Sequence, residues 1–409
     1  MSRAYDLILH GATGFTGRLI ASYLNANAPS EIRWAISGRN LDKLKSLQSE
    51  LAADANVDES EIPLIVADSL VESDMLSLAL GTRVVISVVG PYSLYGELLV
   101  KACVESGTDC LDLTGENHFV RRLIDRYHDE AVARGVKIIN SCGFDSIPSD
   151  MGVWMMQQHA IETFDAPLRR IDMAVSRISG ALSGGTMASM TTLLENRHDP
   201  VTRRAMGHPY GLNPRDGVKG ADGPDLRRSE WSVVHQSWVA PFMMAAINTR
   251  IVRRSHALSG WPWGEDFRYS EVSAYGRGFK GWRRAKTMSF GIGFFYALML
   301  WGPTRSALTK WFLPKPGEGP DESKRAKGHF RFQFQGEGRD GRKLRARVGA
   351  RMDPGYECTA MMISQCALSL ILNRDSLPDS FGILTPSTAF GGVLLSRLES
   401  AGMHFELQD

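Results

Sequence analysis

Cysteine is scarce in this 409-residue chain: Cys103, Cys110, Cys142, Cys358 and Cys366 are all it has, with no Cys-x-x-Cys pair. No zinc-ligand spacing follows from them, so no metal site is expected, and an odd, scattered set suits a reducing compartment with most thiols buried. An excess of one charge is also missing. The chain carries 47 basic and 45 acidic residues, which excludes a general nucleic-acid binder. Apolar runs are short. Residues 288–302 (MSFGIGFFYALMLWG) give 15 residues without a charge, where a membrane span needs about 20. The first residues lead straight into a strand and lack the charged–apolar–small pattern of a secretory signal, so the expected location is cytoplasmic. No tyrosine is followed by lysine four positions later, which removes the Tyr-x-x-x-Lys proton donor of short-chain reductases. No internal repeat is visible.

What is present begins at the first strand. Residues 5–10 (YDLILH) form an apolar run, followed by Gly11-Ala12-Thr13-Gly14-Phe15-Thr16-Gly17 and then by an amphipathic pattern through Leu19, Ile20, Tyr23 and Leu24. A tight turn needs residues without a Cβ. A backbone that approaches a pyrophosphate closely needs them too, and a following helix N-terminus supplies N–H groups and partial positive charge. Strand, glycine turn and helix in that order point to a nucleotide cofactor held by Gly11, Thr13, Gly14, Phe15, Thr16 and Gly17. The second strand, 33–40 (RWAISGRN), ends in Ser37, Gly38 and Arg39, with Lys43 one turn on. An acidic residue here would hold the ribose hydroxyls of NAD. An arginine instead suits a 2′-phosphate through bidentate, charge-assisted bonds. The expected cofactor is therefore NADP(H). Asp68, at the end of a third strand, lies either at the adenine end of the site or at a helix N-cap.

The first 150 residues alternate strand and helix, which implies a doubly wound parallel sheet with ligands at its carboxyl edge. Three loops leave that edge. The first, Gly90-Pro91-Tyr92-Ser93-Leu94-Tyr95-Gly96, lies where the nicotinamide half would approach. Gly90, Pro91 and Tyr92 are candidate cofactor contacts, and Tyr92 or Tyr95 is a candidate proton donor, with aromatic packing over the sheet edge as the alternative for each. The second is 112–116 (DLTGE), in which Glu116 either orients a ligand or complements a helix dipole. The third is 141–150 (SCGFDSIPSD). Here Asp145 is a candidate catalytic group beside its helix-capping alternative, and Cys142 is a nucleophile or a buried thiol.

After residue 150 the rhythm changes. Residues 170–178 alternate like a half-buried strand, and 329–335 and 343–349 read as a hairpin. The expected architecture is α/β: a parallel sheet domain over 1–155, an inserted α+β domain with an antiparallel sheet over 156–355, and C-terminal helices over 356–409 that return to the first domain. Residues 313–327 read as a loop. Seven of nine tryptophans fall between Trp231 and Trp311. The run 288–302 is preceded by Arg277, Lys280, Arg283, Arg284 and Lys286. It is either a buried core helix or an interfacial segment touching the inner face of a membrane peripherally. The cluster Arg250-Ile251-Val252-Arg253-Arg254 either receives a phosphopantetheine, coenzyme A or an acidic carrier, or is a solvated basic face. Residues 182–186 (LSGGT) look like a helix start able to bind an anionic oxygen.

These stretches together resemble the saccharopine dehydrogenase-like oxidoreductases, and within them the mycobacterial trans-acting enoyl reductases. The matching stretches are 11–17, Ser37-Gly38-Arg39, 89–96 (VGPYSLYG), 112–116, 142–150, 183–186 (SGGT), 248–254 (NTRIVRR), 267–271 (FRYSE) and the Leu384-Thr385-Pro386 turn. The resemblance implies an NADP-binding Rossmann domain, an inserted α/β domain and helices that fold back. It also implies reduction of an enoyl double bond on an acyl or polyketide-type lipid intermediate, carrier-bound in trans. An amino-acid oxidoreductase of the saccharopine type and a non-catalytic, membrane-associated Rossmann protein are the alternatives. A homodimer is compatible with all three.

Overall fold

The computed structural model describes residues 3–179, 189, 191–192, 194–195, 198–215, 217–218, 220–311 and 322–408. The expected helix start at 182–186 lies outside the described residues, as does most of the expected loop over 313–327.

Short apolar runs bounded by glycine turns form the first sheet. Its strands are β1 (Tyr5–His10), β2 (Trp34–Gly38), β3 (Leu64–Val66), β4 (Thr82–Ser87), β5 (Asp109–Asp112) and β6 (Lys137–Ile139). The helices between them are α1 (Phe15–Asn27), α2 (Leu41–Ala55), α3 (Glu72–Leu80), the single turn α4 (Tyr92–Tyr95), α5 (Glu97–Ser106) and α6 (Asn117–Ala133). Every strand pairing here is parallel. The chain moves outward from β1 to β3, then crosses back to place β4 on the other side of β1. That reversal opens a crevice at the carboxyl ends of β1 and β4, the place where doubly wound sheets bind ligands.

Helix α7 (Ile147–Phe164) carries the chain out of this layer. A second sheet follows, built from β7 (Leu168–Ser179), β8 (Glu230–Ser232), β9 (Ser237–Pro241), β10 (Arg268–Ala274), β11 (His329–Gly338) and β12 (Lys343–Ala350). The hairpin of β11 and β12 pairs Phe330 with Ala350 and continues in antiparallel register. The sheet is mixed, not purely antiparallel, because β10 runs parallel to β7. The connection between those strands is long enough for a crossover and includes α8 (Pro200–Gly207) and α9 (Ala245–Leu258). Phe330, Phe332 and Phe334 alternate inward. Phe144 packs on the first two rings. A Cβ at Gly152 would sit 2.6 Å from the Phe334 ring, so a glycine in α7 lets the helix lie directly on the sheet.

Helix α10 (Gly278–Leu300) lies on the surface, followed by α11 (Gly302–Trp311) and the short α12 (Glu322–Arg325). Only Gly281, Ala285 and Met299 of α10 are buried, which overturns the buried-core alternative for 288–302. No helix among the described residues is long and apolar enough to cross a membrane.

The C-terminal segment returns, as helices and as strands. Helix α13 (Glu357–Leu372) is apolar on all sides and buried along nearly its whole length. Strand β13 (Gly382–Leu384) adds to the first sheet beside β6, and α14 (Pro386–Ser400) packs near α7 and α13. Strand β14 (Met403–Gln408) then pairs with β12 in the second sheet. The segment 356–409 therefore straddles both layers, where only helices returning to the first were expected. The reason is local: Met403 and Phe405 alternate inward against the β12 edge, a six-residue pattern with little periodic signal.

Candidate functional site

The glycine turn is held from below by His10, the last residue of β1. Its Nδ1 lies 3.1 Å from the Ser37 hydroxyl and its Nε2 2.8 Å from that of Ser69. Burial pushes the imidazole down to about 4, so it stays neutral and ties three strand ends together. The Ser37 carbonyl accepts from the N–H groups of Gly11 and Ala12, which fixes where the turn begins. Gly11 has φ +89°, a left-handed conformation open to glycine. A Cβ at Gly17 would lie 2.3 Å from the Gly11 carbonyl oxygen, so the third glycine closes helix against turn. Gly14 is the N-cap of α1, without a side-chain cap and with no acidic residue in the first turn. The first-turn N–H groups of Phe15, Thr16 and Gly17 face no intrahelical acceptor, and an anion suits them. Thr13 sits beside the end of β2: a Cβ at Gly38 would be 3.7 Å from its hydroxyl oxygen. The Phe15 ring turns to the returning segment, edge-on to Tyr356 at 4.8 Å with the Arg325 guanidinium 5.6 Å from its centre. Only its backbone belongs to the turn.

At the end of β2, Arg39 and Lys43 are exposed. Asn40 caps α2 by accepting from the Lys43 N–H, which holds the two cations one turn apart. Neither has an ion pair among the described residues. Ser37 is fully buried and spends its hydroxyl on His10. The Asp68 carboxylate accepts from Leu70 N–H, and its own N–H donates to Asp74. Asp68 thus turns the chain into α3.

Across the crevice, Gly90 and Pro91 lead into α4. The buried Glu116 carboxylate accepts from the N–H groups of Tyr92 and Ser93 at 2.8 and 3.0 Å, and from the Ser189 hydroxyl at 2.7 Å. The Tyr92 hydroxyl donates to the Ser87 carbonyl and accepts from Leu113 N–H. Burial, then the nearby Asp112 charge, raises it well above the ordinary phenol range. Tyr95 is half-buried. Asp112 is a buried hub that accepts from Thr114 N–H, Ser141 N–H and the Asn140 amide. Burial pushes it up to about 6 in spite of those bonds.

Asp145 is different. It stands in the loop between β6 and α7, on the nicotinamide half by the topology of the sheet, and leans toward the β5 loop. A Cβ at Gly115 would be 3.6 Å from its carboxylate and 3.0 Å from Ile247 Cδ1. Burial alone pushes Asp145 up to about 6. Cys142 is fully buried, donates to the Ile139 carbonyl, and has its thiol raised well above the usual range by burial. The nucleophile alternative for Cys142 therefore fails.

The arginine cluster on α9 is also internal. Arg250, Arg253 and Arg254 are 3%, 3% and 1% exposed. Arg250 pairs with Asp225, and Arg253 with Asp222. Arg254 donates to the carbonyls of Leu212 and Ile383. Receipt of a carrier or phosphopantetheine by this cluster is ruled out, because a buried charge must be satisfied inside the protein. The same helix carries two networks that sequence reading missed. Asn248 donates to Glu271 and Ser149, and the Tyr269 hydroxyl donates to Glu271. Glu271 is fully desolvated and pushed up to about 7. Asp150 accepts from the Ser255 hydroxyl and from Ser387 N–H, and Ser255 also meets Thr385. Ser149, Asp150, Asn248, Tyr269, Glu271 and Thr385 come from 142–150, 248–254, 267–271 and 384–386, four of the stretches that looked distinctive, and Ser255 and Ser387 lie within two residues of them. Polar residues inside otherwise apolar helix and strand patterns were the available signal.

Residues 7–139 match the family model described as the saccharopine dehydrogenase NADP binding domain. The whole chain is similar to a Mycobacterium tuberculosis protein provisionally named a trans-acting enoyl reductase, at 38% identity over 99% of this chain and 97% of that one. It is similar at 37% to the trans-acting enoyl reductase of Mycobacterium bovis and at 36% to that of Mycobacterium leprae, each over 98% of this chain and 97% of the relative. Among solved structures, the apo saccharopine dehydrogenase (L-Glu forming) of Saccharomyces cerevisiae superposes with a TM-score of 0.51 at 14% identity. That match covers 99% of this chain and 100% of that one, which shows a shared fold.

Proposed function

We propose that this chain, which belongs to the trans-acting enoyl reductase family of saccharopine dehydrogenase-like oxidoreductases, reduces the C=C bond of an acyl or polyketide-type lipid intermediate. It is an NADP(H)-dependent oxidoreductase. Kinship with enoyl reductases across both domains carries the substrate reading. The turn at Gly11, the uncapped start of α1 and the exposed Arg39 and Lys43 fit the cofactor. First-turn N–H groups of α1 hold the pyrophosphate. Arg39, with Lys43 beside it, pairs with the 2′-phosphate. The bound cofactor supplies a hydride to the β-carbon of the enoyl group.

The remaining chemistry falls to the loops opposite. Glu116 fixes the backbone of 91–95 and so shapes the nicotinamide side. Tyr92, with its hydroxyl committed inside the sheet, is a positioning residue in this reading. Asp145 delivers the proton to the α-carbon, because its carboxyl has no protein partner among the described residues and its proton is held to about pH 6. Tyr95 shapes the mouth of the site. The acyl chain is presented by a carrier, and contact with the inner face of a membrane brings the enzyme to it.

Calorimetry with NADPH and NADH on the wild type and on Arg39→Ala tests the cofactor arm. The expected outcome is a clear NADPH preference that collapses about tenfold or more in the variant, as loss of one charge-assisted pair predicts. Equal binding of both nucleotides by the wild type would overturn the 2′-phosphate assignment.

A further inference from the structure

Helix α10 presents its aromatic residues to solvent. Gly281, Ala285 and Met299 face the protein, and Ser289 accepts from Ser229 N–H. On the opposite side Phe279, Trp282, Phe290 and Phe294, continued by Trp301, recur at helical spacing and make one stripe. Phe279, Phe290 and Trp301 are 72%, 75% and 65% exposed. The rings of Phe279 and Trp282 stack at 5.2 Å, and those of Phe290 and Phe294 at 6.1 Å. Lys280 and Arg284 border the N-terminal half of this stripe, Arg283 and Lys286 stand on the same face among the rings, and all four are exposed. None of the four has an ion pair among the described residues, and α10 contains no acidic residue.

We infer that α10 lies in the plane of an anionic bilayer, its aromatic stripe in the headgroup–acyl boundary and its four cations on lipid phosphates. Aromatic rings left in water forgo the free energy of burial that an acyl boundary supplies. Lys and Arg at a membrane surface are attracted to an anionic leaflet. The combination of an aromatic face, flanking cations and a length of about 35 Å is that of an interfacial helix. A second copy of the chain fits this face poorly. A two-fold interface through α10 would set its cations near their own copies with no acid on the helix to answer them. The inference builds on the lipid-substrate reading for its purpose only, because lipid binding requires no turnover.

Sedimentation of the full chain with vesicles tests it. One set is phosphatidylcholine alone; the other is equal parts phosphatidylcholine and phosphatidylglycerol. The expected result is binding to the anionic set only, weakened by salt. Phe290→Ala with Phe294→Ala is expected to lower that binding about tenfold or more. Replacing Lys280, Arg283, Arg284 and Lys286 by Gln should abolish the preference for phosphatidylglycerol. NADPH binding and reduction of a water-soluble enoyl thioester, measured without vesicles, should be unchanged in both variants. No binding by the wild type, or equal binding by the phenylalanine variant, overturns the inference. So does a wild-type dimer that the phenylalanine variant dissociates. Failure of the soluble thioester assay with vesicle binding intact would instead count against the reductase reading.

Discussion

In the proposed reaction Asp145 carries the proton step, and its carboxyl is set apart by its environment. Burial raises it to about 6, so between the ordinary aspartate value near 4 and pH 6 the folded protein binds more protons than the unfolded chain. Stability contributed at this position is therefore complete at low pH and lost as pH rises through 6. Asp145→Asn does not titrate. It is expected to be more stable than the wild type above pH 6, by on the order of 2 kcal/mol, and so to melt at a higher temperature there, with the advantage gone below about pH 4. Activity should move the other way. If Asp145 gives the proton, kcat/KM of the wild type falls above pH 6 and Asp145→Asn loses turnover, whereas Tyr92→Phe keeps the same profile. A rate that is flat through pH 6 would remove Asp145 from the proton step. His10 and Arg254 show the opposite logic for cations. Burial lowers them to about 4 and about 9, and each is satisfied by hydroxyls or carbonyls instead of by an acid.

At the scale of elements, the second sheet carries a feature of its own. Arg331 on β11 stands directly opposite Arg177 on β7. Both are exposed, and they line an open cavity of about 740 Å³ that Lys327, Arg347 and Arg351 also border. Like charges directly opposite across strands are destabilising. Arg331→Gln is expected to stabilise the fold slightly, by less than about 1 kcal/mol, and so to raise the melting temperature, with a gain that shrinks in high salt. Thermal unfolding at two ionic strengths checks this. Unchanged stability at low salt would mean that the two side chains already separate their charges. Elements also explain which helices sequence periodicity read well. Helix α5 is legible along the chain, because the glycine stop at Gly107 and a regular apolar face define it. By contrast, α7 begins at Ile147, inside the stretch 141–150 that reads as a loop, because Pro148 suits the first turn and its polar neighbours resemble loop residues.

For the whole molecule, the two sheets are joined by α7 and by the returning C-terminal segment. Asp150 ties three distant parts of the chain together: its own helix α7, α9 through Ser255 and α14 through Ser387. Asp150→Ala would leave Ser387 N–H buried without its acceptor. It is expected to cost about 2 kcal/mol or more, measurable by urea unfolding. The cost belongs to the joint between layers and should leave NADPH affinity per folded molecule unchanged. A destabilised variant with unaltered affinity supports that separation, and a specific loss of NADPH binding would place Asp150 in the cofactor site.

The sequence by itself determined what depends on neighbours along the chain. The strand–glycine turn–helix at 5–24, the cations at the end of β2, the parallel alternation and the hairpin of β11 and β12 are all local patterns, because backbone conformation and periodicity are set within a few residues. Tertiary structure alone decided which polar groups are spent inside the protein. Arg250, Arg253 and Arg254 read equally well as a docking patch until burial and their partners on distant loops appeared. The phenol of Tyr92 read equally as a proton donor or as packing over the sheet edge, and the bonds that engage it come from Ser87 and Leu113, which local pattern could not place. The short strands β13 and β14 were decided there too, since their pairing partners, β6 and β12, lie far outside any local sequence window. Exposure of the α10 aromatics was likewise undetermined, because an apolar run specifies that it avoids water but leaves open what it meets instead.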